Sequence, residues 1–277
     1  MNLKKPNFWD QKKPNLLAYL LLPLALIIKF FSYLKKIPEN RKMSIKTICV
    51  GNFYVGGTGK TSLCIKINKI LKKKKIKTCF IKKFYKNQID EQRLLSNSGK
   101  LFVSSTRRKA IQKAIKENYE VAILDDGIQD NSIDYDLSFI CFNNINWIGN
   151  GMTIPAGPLR EDISNLKNYH HVFLNGNLEN LDQIKTQILK INSKMNIHIG
   201  KYEITNLNEF KKEDDYLVFS GIGNHLTFIS MLRENGFNIK KDFEFSDHYQ
   251  YSERDLNKII SEAELFNCKI ITTERDF

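Results

Sequence analysis

Lys46-Thr-Ile-Cys-Val-Gly-Asn-Phe-Tyr-Val-Gly-Gly-Thr-Gly-Lys-Thr-Ser62 is the stretch that decides the fold. Ile48, Cys49 and Val50 form an apolar run closed by a glycine turn, which predicts a buried strand. A helical pattern begins at Thr61 and continues through Ile65, Ile67 and Leu71. Strand, glycine loop, Lys-Thr and helix are the physical parts of a P-loop. In such a loop, backbone N–H groups and the positive end of the helix face the phosphates of a nucleotide. The expected nucleotide-binding set is Val55, Gly56, Gly57, Thr58, Gly59, Lys60, Thr61 and Ser62. Lys60 is expected to reach the β- and γ-phosphates, and the Thr61 hydroxyl to hold Mg²⁺. One position departs from the usual spacing: Tyr54 stands where a glycine is expected.

A second strand is predicted at Lys77–Ile81, followed by Lys82-Lys-Phe-Tyr-Lys86 and a short helix at Arg93–Ser96 that Asn87–Gln92 opens. Val121-Ala-Ile-Leu124 is a fully apolar strand ending in Asp125-Asp126-Gly127. That is the second half of a nucleotide site: a buried strand delivers a carboxylate to its C-terminal edge, where Asp125 or Asp126 can hold Mg²⁺. Strands and helices alternate from residue 46 to 145, which argues for an α/β fold with a parallel, doubly wound sheet. Further on, Arg160 is a candidate for binding an anionic group, and Gln129 for positioning substrate or nucleotide. From 177 to 213 the chain is polar with weak periodicity, and a smaller domain is expected to begin there. The expected division is 1–40, an N-terminal helical segment; 41–176, a P-loop core; and 177–277, a smaller C-terminal α/β domain. In that last part, Leu217-Val-Phe-Ser-Gly-Ile-Gly-Asn224 repeats the theme of a strand running into a glycine turn, which a plain βα turn also explains.

Leu16-Leu-Ala-Tyr-Leu-Leu-Leu-Pro-Leu-Ala-Leu-Ile-Ile28 sits between basic flanks with Trp9, Phe30, Phe31 and Tyr33 nearby. A signal peptide would need a small-residue cleavage site, which does not follow. A spanning helix needs about 20 apolar residues, and Pro23 and Lys29 interrupt this run. A buried core helix is disfavoured by the basic, aromatic flanks. The favoured reading is a membrane-associated helix lying at the interface, with lysines and aromatic residues at the headgroups.

The formal net charge of +13 has two sources that composition does not separate. One is an anionic partner, whether lipid surface, nucleic acid or phosphorylated substrate; the other is a lysine-rich proteome. No nucleic-acid-binding motif accompanies the charge, so no nucleic-acid partner is expected. The five cysteines are scattered and odd in number, which argues for a reducing compartment and against a disulfide framework.

Taken in order, Val50-Gly-Asn with Gly56–Thr61, Asp90-Glu91, Asp125-Asp-Gly-Ile-Gln129, Gly149-Asn-Gly, Pro155-Ala-Gly-Pro-Leu-Arg160, Gly221-Ile-Gly-Asn224, Asp247-His248 and Thr273-Glu-Arg-Asp276 resemble the tetraacyldisaccharide 4′-kinase family of Gram-negative bacteria. The resemblance implies a membrane-associated N-terminal helix, a P-loop core and a smaller C-terminal domain. It implies transfer of the ATP γ-phosphate to the 4′-hydroxyl of a tetraacylated glucosamine disaccharide 1-phosphate, in lipid A biosynthesis. It also implies Asp90 as catalytic base, with His248 orienting or tuning it, and Lys60 as a catalytic cation. The implied partners are the lipid A precursor, an acylated glucosamine disaccharide phosphate, and the inner-membrane surface. The implied site of action is the cytoplasmic face of the bacterial inner membrane, as a monomer. Departures from the family pattern are Lys83-Phe-Tyr85 for Arg-Gly-Tyr, Asp130 for His after Gln129, Ser62 and His225 for two prolines, and Arg275 for Lys. The rival reading from another class is a membrane-associated P-loop ATPase switch without a lipid acceptor.

Overall fold

The computed structural model describes residues 5–33, 41–85, 88–176, 180–204 and 206–276. The chain runs through α1 (Leu16–Tyr33), β1 (Lys46–Gly51), α2 (Lys60–Lys73), β2 (Thr78–Lys83), α3 (Ile89–Ser98), β3 (Leu101–Ser104), α4 (Arg107–Lys116) and β4 (Val121–Asp125). It continues through β5 (Leu137–Asn143), β6 (His171–Asn175), α5 (Leu181–Ile191) and β7 (Asn196–Gly200). Then come β8 (Asp215–Ser220), α6 (His225–Glu234), β9 (Asn238–Glu244), α7 (Glu253–Leu265) and β10 (Lys269–Ile271).

Alternate residues of the central strands enter two different apolar layers. Cys49, Cys79, Ile81, Ala122 and Leu124 join one layer with Ala110, Ile111 and Ala114 of α4 and Ile184 and Ile188 of α5. Val50, Phe80 and Ile123 join the other, with Leu63 and Cys64 of α2 and Leu95 of α3. This period of two with both faces buried explains why the strands read as continuous apolar runs. The sheet has seven strands in the order β3-β2-β4-β1-β5-β6-β7, and every pairing in it is parallel. The doubly wound α/β expectation therefore holds.

The chain divides into two compact units, Lys5–Gly200 and the part from Lys201 onward. The division lies beyond the expected 176/177 boundary. The polar stretch after 180 contains α5 and β7, and β7 pairs with β6 to finish the first unit's sheet. The second unit has a three-stranded sheet in the order β10-β8-β9, also parallel. Ile229 and Leu232 of α6 pack on one face with Tyr216 and Val218. Ile259 and Ala263 of α7 pack on the other with Leu217 and Phe219.

The apolar N-terminal run is helical, with Pro23 inside α1. Ala18 and Ala25, two helical turns apart, are buried, while Leu16, Leu20, Phe30 and Phe31 are more than half exposed. Among the described residues no helix is long and apolar enough to cross a membrane. The C-terminal basic flank of the apolar run, Lys35 and Lys36, lies outside the described residues.

Candidate active site

The loop after β1 is built to leave a helix end open. Gly56 and Gly59 have φ of 130° and 79°, conformations that a side chain disfavours. Gly59 is the residue that precedes α2, and no side chain caps the helix there. The first-turn N–H groups of a helix have no partner within it, so an uncapped N-terminus presents donors and partial positive charge to an anion. The sequence-predicted set lines this turn: Thr58 is buried, Val55, Gly56, Gly57, Gly59, Lys60 and Thr61 are half-buried, and Ser62 is exposed. Tyr54, at the departure from the usual spacing, is buried and anchored from outside the loop. Its hydroxyl donates to Asp10 and accepts from Lys5 Nζ at 3.0 Å.

Strand register brings the carboxylates to this loop. Val50 of β1 lies opposite Asp125 of β4, so both strands end level where the glycine turn begins. The Thr61 hydroxyl donates to Asp125 Oδ2 at 3.3 Å, and Lys60 Nζ lies 4.0 Å from Asp126 Oδ1. Asp126 adopts a left-handed φ of 56° and donates its N–H to Val50 O at 2.8 Å. Burial pushes the Asp126 carboxyl up, but Lys60 and Arg160 outweigh burial and hold it down at about 2.

Arg160 is placed by backbone. Its N–H donates to Phe53 O at 2.6 Å, and the Val55 N–H donates to Pro158 O at 2.9 Å. The guanidinium then reaches Asp126 Oδ1 at 2.7 Å and Gln129 Oε1 at 3.4 Å. Gln129 also donates to Asn52 O at 3.0 Å and Glu161 Oε1 at 3.1 Å. Lys60, Thr61, Asp125, Asp126, Gln129 and Arg160 are thus brought together.

One residue of the site was missed. The sequence pattern ends the second strand at Ile81, yet β2 runs on through Lys83 and the Lys82 side chain is 1% exposed. Its Nζ lies 2.7 Å from Asp125 Oδ2 and 2.5 Å from Glu91 Oε2. Burial opposes its charge, but the two carboxylates prevail and its pKa is raised. Asp90 and Glu91 form the first turn of α3.

Asp125 Oδ1 and Thr58 Oγ1 are buried without a hydrogen-bond partner. Buried polar atoms are normally paired, and these two lie beside the open helix end, where a bound group could meet them. Among the described residues no cluster of three or more His, Cys, Asp or Glu could hold a metal ion. The oxygens that are present, the Thr61 hydroxyl beside the Asp125 carboxylate, suit a hard cation that takes one or two protein oxygens and completes its shell with phosphate and water, as Mg²⁺ does.

The second unit gathers its polar residues at the C-terminal ends of its strands. Asp276 Oδ1 accepts from the Gly221 N–H at 3.1 Å and the Tyr251 hydroxyl at 3.2 Å. Arg275 Nη2 donates to Asp247 Oδ1 at 2.7 Å and to His248 Nδ1 at 2.6 Å. A guanidinium only donates, so Nδ1 is the acceptor and the neutral ring carries its proton on Nε2. Ser220, His225 and Asp242 form a chain at 2.7 and 2.9 Å that has the outline of a nucleophilic triad. The Ser220 side chain is completely buried, so its hydroxyl links β8 to α6 and does not meet solvent.

A family model described as tetraacyldisaccharide-1-P 4′-kinase matches residues 17–277. A protein of Pelagibacter ubique (strain HTCC1062) named tetraacyldisaccharide 4′-kinase is 58% identical over 277 residues, covering 100% of this chain and 88% of that one. A protein of the same name from Rickettsia akari (strain Hartford) is 31% identical, with the same two coverages. The crystal structure of "apo" form LpxK from Aquifex aeolicus in complex with ATP superposes with a TM-score of 0.62 at 22% identity. It covers 94% of this chain and 89% of that one, a likeness of fold.

Proposed function

Because the chain belongs to the tetraacyldisaccharide-1-P 4′-kinase family, we propose that it transfers the γ-phosphate of ATP to the 4′-hydroxyl of a tetraacylated glucosamine disaccharide 1-phosphate. The observation that carries this reading is the register of β1 with β4, which sets Lys60 and Thr61 against Asp126 and Asp125 beside an uncapped helix end.

Phosphoryl transfer depends on positioning and charge neutralisation. The turn from Val55 to Ser62 cradles the phosphates, and Lys60 offsets charge on the group in transit. Thr61 with Asp125 or Asp126 would hold Mg²⁺, which supplies charge neutralisation and alignment of the phosphates when bound. A sugar hydroxyl has a very high pKa, so a base within reach of it lowers the barrier. Asp90 is assigned that role and accepts the hydroxyl proton. The bond from the 4′-oxygen to phosphorus forms as the bond from phosphorus to the β,γ-bridging oxygen breaks, and ADP leaves. Arg160 and Gln129 are placed to orient an anionic or hydroxyl-bearing group. His248 enters the proposal as a ring held in one tautomer by Arg275. The exposed leucines and phenylalanines of α1 support docking at a membrane surface; the cytoplasmic face of the inner membrane and a monomeric state are part of the proposal.

An ATPase switch without an acceptor is not favoured by the family membership, and one experiment separates the two. Labelled ATP is supplied to purified protein with and without the disaccharide lipid, for wild type and Asp90→Ala. Wild type is expected to label the lipid and to consume ATP only in its presence. Asp90→Ala is expected to bind ATP with turnover reduced by about 10²–10⁴-fold, the scale of a lost general base. Unchanged turnover in that variant would remove Asp90 from the mechanism.

A further inference from the structure

We propose that Lys82 is a positioning residue for the phosphoryl transfer: its buried ammonium ties the first turn of α3, and with it Asp90, to Asp125 beside the phosphate loop. This inference rests on the kinase reading and deepens it.

An unpaired ammonium is very costly to bury, so Lys82 can sit where it does only because both carboxylates meet it. Its side chain is 1% exposed, and Asp125 is wholly buried. The contact points belong to four elements. Lys82 comes from β2 and Asp125 from β4, Glu91 from the first turn of α3, and Thr61 from the first turn of α2. The Lys82 ammonium and the Thr61 hydroxyl both donate to Asp125 Oδ2. The other oxygen, Oδ1, is left buried and without a partner. Lys82 thus sets which carboxylate oxygen is free for the cation site.

The second ion pair acts on α3. Glu91 Oε2 lies 2.5 Å from the ammonium, which fixes the rotation of the helix about its axis. Asp90 is the preceding residue, about 100° around the helix. Its bearing is set once Glu91 is tied down. Lys82 itself need not touch substrate; it acts through Asp125 and Glu91. A residue that only held the fold together would move stability and leave turnover per folded molecule alone. A positioning residue lowers kcat while ATP affinity stays put.

The test uses full-length protein in detergent with the disaccharide lipid as acceptor. Lys82→Met, Glu91→Gln and the double variant are compared for kcat, KM for lipid, ATP affinity by nucleotide titration, and Tm. Lys82→Met is expected to lower kcat by about 10²-fold, the cost of misplacing a reacting group by about 1 Å, with ATP affinity within about threefold. Glu91→Gln keeps the Lys82–Asp125 pair and is expected to lower kcat by a smaller factor. The double variant is expected to be no slower than Lys82→Met, because residues in one network do not add. Turnover of Glu91→Gln at the wild-type rate with unchanged Tm overturns the proposal, even if Lys82→Met fails to fold. Fully additive losses overturn it as well. A wild-type protein that never labels the lipid would end the kinase reading and this inference together, whereas active wild type with active variants ends only the inference.

Discussion

Two βα turns in this molecule share one sequence theme and have opposite chemistry. After β1 the chain reads Gly51 to Lys60 and opens α2 at Gly59, where no side chain caps the helix. After β8 it reads Gly221-Ile-Gly-Asn224 and opens α6, where the Asn224 side chain accepts the Thr227 N–H at 3.1 Å. The second turn fills itself further: Asp276 takes the Gly221 N–H, and the His248 N–H donates to the Gly221 carbonyl. Each turn keeps buried polar atoms without a partner, Thr58 Oγ1 and Asp125 Oδ1 around the first and Asn224 Nδ2 in the second, so the contrast lies in the helix ends: α2 has no side-chain cap and α6 has one. A strand–glycine–helix turn suits a phosphate when its helix N-terminus is left without a side-chain cap, as at Gly59. Glycines alone do not distinguish the two cases.

The comparison breaks most severely at Asp125. Asp125→Asn leaves the buried Lys82 ammonium short of a counter-charge, and removing one partner of a buried pair costs about 3–5 kcal/mol. Urea unfolding is expected to show that loss, and unchanged stability would mean the ion pair is not formed. Next comes the open turn itself. Lys60→Ala is expected to cut turnover by about 10²–10³-fold, as loss of one preorganised charge-stabilising donor does, and steady-state kinetics with lipid acceptor check it. A smaller effect is expected with pH. The Asp126 carboxyl is held at about 2 against an ordinary 3.8, because Lys60 and Arg160 outweigh its burial. A depressed carboxyl stabilises the fold above its unfolded pKa and loses that contribution as pH falls through its folded value. About 2 kcal/mol should therefore disappear between about pH 4 and pH 2. In Arg160→Gln that loss should be smaller, which urea titrations at stepped pH would register. The least effect belongs to the filled turn: Asn224→Ala should cost about 1 kcal/mol of stability, the usual worth of a helix cap, and leave ATP binding unchanged. Altered ATP affinity in that variant would blur the distinction between the turns.

The first turn was legible in the sequence because every part of it is local. Strand, glycines, Lys60 and Thr61 lie within seventeen consecutive residues, from Lys46 to Ser62. Asp125 and Asp126 were legible because an apolar strand ending in carboxylates has few other uses, and the parallel order then placed β4 beside β1. Lys82 was not legible. A lysine after the five expected strand residues Lys77–Ile81 reads as the exit to solvent, and its burial depends on carboxylates at positions 91 and 125. Tyr54 was visible as a departure, but its partners Lys5 and Asp10 lie far back in the chain. The first compact unit runs on to Gly200, past the approximate boundary at 176, for a related reason. β7 is an edge strand with exposed Asn196, His198 and Ile199, so it lacks the apolar run that marked the central strands.

The central claim is a reaction, and the product tests it most directly. Wild-type protein is incubated with ATP and the tetraacyl disaccharide 1-phosphate, and the lipid product is assigned by mass spectrometry and phosphorus NMR. The account predicts one added phosphoryl group on the 4′-oxygen, formed about 10²–10³-fold more slowly when Lys60 is replaced by alanine. ATP consumption that is indifferent to the lipid, or a phosphoryl group on any other oxygen, would contradict it.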